Sequence, residues 1–186
     1  EDMKQSFQSG ILNKSPATFS MDKLLWFNKY YLDQMSIDQL IEALSIEEFD
    51  GSEYSKIILN TIRDRCSTLN EFSLNAGYFF KDPKNYDEAL IIKHCKKDSF
   101  EHLSLLREKF EELRNWEQMY IKEVIDKVVA DFEIGFGKIG LPLRLALTAT
   151  VNSPSIDLVC QLLGRDTTLN RIEKFLTKIK DLKTDQ

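Results

Sequence analysis

A chain of 186 residues with 42% hydrophobic side chains can bury a sizeable core, as one domain or two small ones. Thirty acidic against 25 basic residues leave a net charge of -5, which excludes a globally basic nucleic-acid binder but not a local basic face. No run of about 18 apolar residues and no export leader is present, so neither membrane insertion nor secretion is expected.

Glycine (7) and proline (4) are scarce and apolar residues recur at helical spacing, so an all-α fold is expected. The chain opens on Glu1 and reads as a piece of a longer protein, with residues 1–19 as a connector that settles at Lys14-Ser15-Pro16. Ser20 is placed to cap a helix through MDKLLWFNKYYL, with Leu24, Leu25, Phe27, Tyr31 and Leu32 as its apolar positions. Ser36 and Gln39 have the spacing of a capping box ahead of IDQLIEAL. A helix follows over 53–65, with Ile57, Ile58 and Ile62 inward, and another starts at Ser67 or Thr68 and runs to Tyr78-Phe79-Phe80. The aromatics Trp26, Tyr30, Phe79 and Phe80 are expected in the core.

The polar stretch KDPKNYD, residues 81–87, is the best internal break and suits a hinge between two helical-bundle subdomains, 20–83 and 84–186. Helices are expected over 87–97, 99–113 and 116–132, the last opened by Asn115 with Gln118. Its inward stripe is Ile121, Val124, Ile125, Val128, Val129 and Phe132. Pro142-Leu143-Arg144 then opens a helix. Ser153 as N-cap with Pro154 at the first helical position starts the next, which ends at Gly164.

Residues 138–186 carry 8 Lys/Arg against 5 Asp/Glu, so a polyanion site is more at home in this quarter than in the acidic remainder. The string GFGKIG matches a dinucleotide fingerprint, but a helical pattern precedes it where a strand is required. It also fails as a phosphate loop of the Walker kind, because Ile139 follows Lys138 where Ser or Thr is needed. Its glycines therefore read as a loop between helices. His94, Cys95 and His102 lack the spacing of a metal site, and the acid pairs Glu47-Glu48 and Glu111-Glu112 read as solvated charge. No catalytic residue or metal ligand is expected on the chain. Cys66, Cys95 and Cys160, odd in number and far apart, read as free thiols in a reducing cytosol.

Three segments together resemble the C-terminal anticodon-binding region of bacterial-type glutamyl-tRNA synthetase: KSPATFSMDKLLWFN (14–28); IRDRCSTLNEF (62–72) with the following YFF; and GFGKIGLPLRLALT (135–148) with SPSIDLVCQLLGRDTTLNRIEKFL (153–176). They stand in the family's order and spacing over nearly the whole chain. The resemblance implies two consecutive all-α subdomains of the α-helix cage type. It also implies a cytoplasmic monomer that binds the anticodon loop of glutamate tRNA, with no DNA partner. The parent ligates glutamate to that tRNA, using ATP and magnesium in a catalytic half whose HIGH-type and KMSKS-type motifs do not occur here. This chain would carry no cofactor and be inactive alone.

By the same resemblance, Arg65 contacts the third anticodon base and favours the C of a glutamate anticodon over the G of a glutamine anticodon. A forked donor suits base-edge acceptors. Ser153 would hydrogen-bond to a base and Ile156 pack against one. Arg144 and Thr148 join them through the matching P-L-R-x-A-L-T pattern, which this chain leaves at Ala149, where Gly is usual; Lys138, four residues ahead of that pattern, is a further anticodon contact by resemblance and a solvated charge when read from the residues alone. Read from the residues alone, Arg144 pairs with Asp157 or Glu133 instead. Arg171 and Lys174 share a face of the last helix, where they read equally as phosphate contacts or as solvated charge. The competing reading is a helical protein-interaction module that keeps the fold without reading tRNA.

Overall fold

The computed structural model describes residues 18–184. Most of the expected connector, including Lys14-Ser15-Pro16, lies outside them. The described residues hold ten α-helices and one 3-10 turn joined by loops, with no strand among them. In chain order the helices are α1 (Met21–Gln34), α2 (Ile37–Leu44), α3 (Glu53–Ile62), α4 (Leu69–Phe80), α5 (Glu88–His94), α6 (Ser99–Glu112), α7 (Gln118–Asp131), α8 (Gly137–Thr148), α9 (Ile156–Leu163) and α10 (Arg165–Thr184).

Local chemistry sets most of the starts. Ser20, Ser36, Ser52, Thr68 and Asp87 each accept a backbone N–H of the first turn that follows, supplying a partner to an otherwise orphaned donor. At Ser36 the box is reciprocal: Gln39 Oε1 accepts from the Ser36 amide at 2.8 Å. The start of α7 departs from expectation. Its N-cap position is Glu117, with no side-chain cap, and Asn115 stands outside the helix. Gln118 is engaged across the fold instead, its amide group donating to Asp157 at 2.7 Å and its backbone N–H to Gln161 at 2.6 Å.

Helix α3 breaks after Ile62 into a 3-10 turn, Arg63–Arg65, so the expected helix over 53–65 is two pieces. Ile58 and Ile62 are fully buried, but Ile57 is 47% exposed. Helix α1 departs further. Only Leu32 is buried on it, while Leu24, Trp26, Phe27, Tyr30 and Tyr31 are all exposed. Of the aromatics expected inside, Phe79 is buried and Phe80 packs at the core edge, whereas Trp26 and Tyr30 stack on one another at the surface. Periodicity marks an apolar face; it does not say that a partner lies against it.

Helix α10, the longest, packs along α6 and α8, while α7 packs on α9 and α6. The stripe of α7 points inward as expected, with Ile121, Ile125 and Val128 buried and Val124, Val129 and Phe132 at its margin. Buried side chains on both sides of residues 81–87 belong to one continuous cluster, from Leu40 and Ile58 through Phe72 to Leu143, Ile172 and Phe175. The polar stretch is non-helical and fastened at both ends. Asp82 is paired with Arg171 and Lys174, and the Tyr86 hydroxyl donates to the Ala146 carbonyl at 3.1 Å.

Candidate functional site

The loop between α8 and α9 supplies one wall of the site. Helix α8 opens at Gly137, five residues before Pro142, through tight bonds from Lys138 and Ile139 to the carbonyls of Gly135 and Phe136. Two of the three motif glycines are thus helical, and helix α7 precedes them where the dinucleotide fold needs a strand. Gly140 does close-packing work: a Cβ there would meet the Phe136 ring at 2.5 Å. Helix α8 ends at Ala149, which caps it in the left-handed conformation at φ 55°.

Residues 150–155 then turn back. Helix α9 begins at Ile156 with Ser155, not Ser153, at the N-cap position. Ser155 is still extended (ψ 139°), so Ser153 and Pro154 lie in the loop before the helix. Arg144 holds that loop. Its Nη1 donates to the Ser153 carbonyl at 2.9 Å, to the Pro154 carbonyl at 2.7 Å and to the Ser153 hydroxyl. Burial pulls the Arg144 guanidinium down from its ordinary value. Its partners are loop oxygens; neither Asp157 nor Glu133 forms an ion pair with it.

The opposite wall comes from the 3-10 turn and α4. Arg63 and Arg65 leave the turn on different errands. The Arg63 Nη2 donates to the carbonyls of Leu32 (2.8 Å) and Met35, closing the end of α1. Arg65 is exposed. Between the walls lies a cleft of about 360 Å³ lined by Arg65, Asn75, Tyr78, Asn152, Ser153 and Pro154. That volume is within the usual range of ligand clefts. The lining holds one full positive charge, two amides and two hydroxyls, and no carboxylate. A larger hollow of about 480 Å³ between α6 and α10 sets three carboxylates, Glu108, Glu173 and Asp181, against the two cations Arg107 and Lys180, a net negative lining that favours a polyanion less than the cleft does.

The cleft brings together Arg65 and Ser153, 88 positions apart in sequence and both expected at the site. It adds Asn75, Tyr78 and Asn152, which sequence reading missed. Tyr78 is 6% exposed, its hydroxyl has no hydrogen-bond partner, and burial pushes that hydroxyl up from its ordinary value. Lys138 is exposed at the start of α8 and does not line the cleft.

Four further expected contacts stand elsewhere. Ile156 is 2% exposed, because it belongs to the apolar face that α9 turns to the core, and so offers no face to a base. Thr148 is buried too. Its hydroxyl donates to the Arg144 carbonyl at 2.8 Å and accepts the Thr150 N–H at 3.3 Å, finishing α8. Arg171 is 2% exposed, and every nitrogen of its guanidinium has an acceptor within the fold, so it is a fastener rather than a phosphate contact. Lys174 is half-exposed and paired with Asp82 at 2.8 Å. Among the described residues no three His, Cys, Asp or Glu side chains gather as a metal site, and no helix is long and apolar enough to cross a membrane.

Residues 26–176 match the family model described as anticodon binding domain. Among solved structures, a glutamate tRNA ligase from Elizabethkingia meningosepticum, in complex with its amino acid, superposes on 95% of this chain with a TM-score of 0.77 and 24% identity. The glutamate-tRNA synthetase of Elizabethkingia anophelis covers 94% with a TM-score of 0.73 and the same identity. The likeness is one of fold. The chain spans about a third of the length of these proteins, 36% and 35%.

Proposed function

Because the chain belongs to the anticodon binding domain family, we propose that the cleft between Arg65 and Ser153 receives an unpaired base of a tRNA anticodon. One observation carries the reading. The exposed, otherwise uncommitted Arg65 faces a loop whose serine is held rigidly by Arg144, across a cleft without carboxylates. A planar guanidinium presents a fork of donors to the acceptor edge of a base, and pre-ordered loop groups cost little further entropy on binding. Exposed Lys138 would meet a phosphate, a contact that fixes register without specifying sequence, whereas Lys174 is engaged by Asp82.

The tRNA is that for glutamate, and the parent is a glutamate–tRNA ligase. Its ATP- and magnesium-dependent chemistry takes place outside these residues, in the cytoplasm, on a monomer. Support comes from the fold likeness to glutamate tRNA ligases and from the motif order described above. The competing interaction-module reading needs the cleft to be indifferent to RNA.

The test is a titration of the chain with a glutamate anticodon stem-loop at low salt, followed by amide shifts. Shifts should cluster at Arg65, Asn75, Tyr78 and 152–154. Arg65→Ala should weaken binding by roughly tenfold, in line with about 1–3 kcal/mol for a forked base contact, while leaving the unfolding midpoint unchanged. Shifts confined elsewhere, or binding insensitive to Arg65→Ala, would remove the cleft from the reading role.

A further inference from the structure

Arg171 is among the most buried charged groups of the described residues, and the recognition reading above does not use it. Its position in the hydrogen-bond network is specific. Helix α4 ends with carbonyls that have no partner within the helix, as every helix does. The Gly77 carbonyl accepts the Lys81 N–H at 3.0 Å, the Phe79 carbonyl accepts the Tyr54 hydroxyl at 3.3 Å, and the Tyr78 carbonyl accepts Arg171 Nη1 at 2.8 Å. At the end of α8, the Leu145 carbonyl accepts the Ala149 N–H at 2.9 Å, the Ala146 carbonyl accepts the Tyr86 hydroxyl, and the Leu147 carbonyl accepts the same Arg171 Nη1 at 2.7 Å. One nitrogen of one side chain therefore closes two helix C-termini at once. Positive charge there also suits the negative ends of both helix dipoles.

Each of those two ends adjoins one wall of the cleft. Tyr78 lines the cleft with its side chain while Arg171 holds its carbonyl. Leu147 stands at the end of α8, from which the chain runs directly into Asn152, Ser153 and Pro154. The remaining guanidinium nitrogens secure the linker between the walls, through Asp82 at 2.9 Å and the Lys81 carbonyl at 3.4 Å. Tyr54 repeats the tie nearby, its hydroxyl also donating to the Leu162 carbonyl of α9 at 3.1 Å.

We propose that Arg171 is a positioning residue that sets the separation of the cleft walls, and through it the fit of a base between Arg65 and Ser153. The second half of this statement rests on the anticodon reading; the first does not. An arginine is required because a lysine ammonium, a point charge on a flexible stem, has no planar fork to serve Asp82 and both carbonyls in fixed directions.

The experiment has two arms. In the first, spin labels at Leu74→Cys and Asn152→Cys, in a Cys95→Ser background, report the wall-to-wall distance by pulsed electron resonance without RNA. The parent should give one narrow distribution. Arg171→Met, and Arg171→Lys should the former fail to fold, should broaden or displace it. An unchanged distribution in a folded variant overturns the proposal.

In the second arm, a double-mutant cycle measures binding of the glutamate anticodon stem-loop. The penalty of Arg65→Ala should shrink by about tenfold when Arg171 is replaced by Lys, a coupling within the usual range for cooperating sites. Displaced walls with an undiminished Arg65→Ala penalty would reduce Arg171 to a purely structural role and overturn its part in recognition. If Arg65→Ala carries no penalty even in the parent, the anticodon reading has failed, and the distance arm alone decides whether Arg171 sets the walls.

Discussion

Arg63 and Arg65 stand two positions apart in IRDR and have opposite fates: one closes the end of α1, the other is exposed at the cleft. Sequence alone supports a helix-end role for either, and the family resemblance singled out the second. Ala149 shows the converse. Its departure from the usual Gly was legible, but the reason is visible only in the backbone. It ends α8 at φ 55°, where a Cβ crowds the following carbonyl. Ala149→Gly should therefore raise stability by about 1 kcal/mol, read as a higher urea midpoint at unchanged slope. A lower midpoint would mean that the methyl group packs usefully. Ser153-Pro154 has the composition of a helix start, yet Ser155, two residues on, takes the N-cap position. The resemblance implies base contacts for Ile156 and Thr148, yet the apolar face of α9 and the end of α8 keep both inside.

At the scale of elements, starts set by local chemistry were readable. Ser20, Ser36 and Thr68 need only a hydrogen bond three residues away. The exposed face of α1 was not readable, because period alone does not reveal an absent neighbour. Nor was the linker. KDPKNYD has the composition of a hinge, but Asp82 meets partners 89 and 92 positions further along the chain. That tie makes an acid-sensitivity prediction. The Lys174 ammonium holds the Asp82 carboxyl below its ordinary value against the opposing effect of partial burial, and Arg171 adds to the lowering. A carboxyl depressed in the folded state contributes stability that is present above its unfolded pKa, about 3.9, and is lost as pH falls through the folded value. Asp82→Asn should thus lower stability at neutral pH and flatten its decline below about pH 4. Parallel pH–stability curves for the two proteins would show that the linker is not held by this pair.

For the molecule as a whole, an acidic chain keeps a small surface free of carboxylates at the place where α4 meets the loop between α8 and α9. All-α architecture was fully legible from periodicity and from the scarcity of glycine and proline. The cleft was legible only as two separate fragments, around Arg65 and around Ser153. Its remaining lining residues and the Arg171 tie depend on contacts between residues far apart in sequence, which no local pattern encodes. The central claim is that Arg65 reads a base across this cleft. The most direct measurement compares two anticodon stem-loops that differ only in the third base, C against G, binding to the parent chain and to Arg65→Gln. The account predicts that the parent prefers C and that the substitution reduces this preference by roughly tenfold. Equal preference in the two proteins would contradict it.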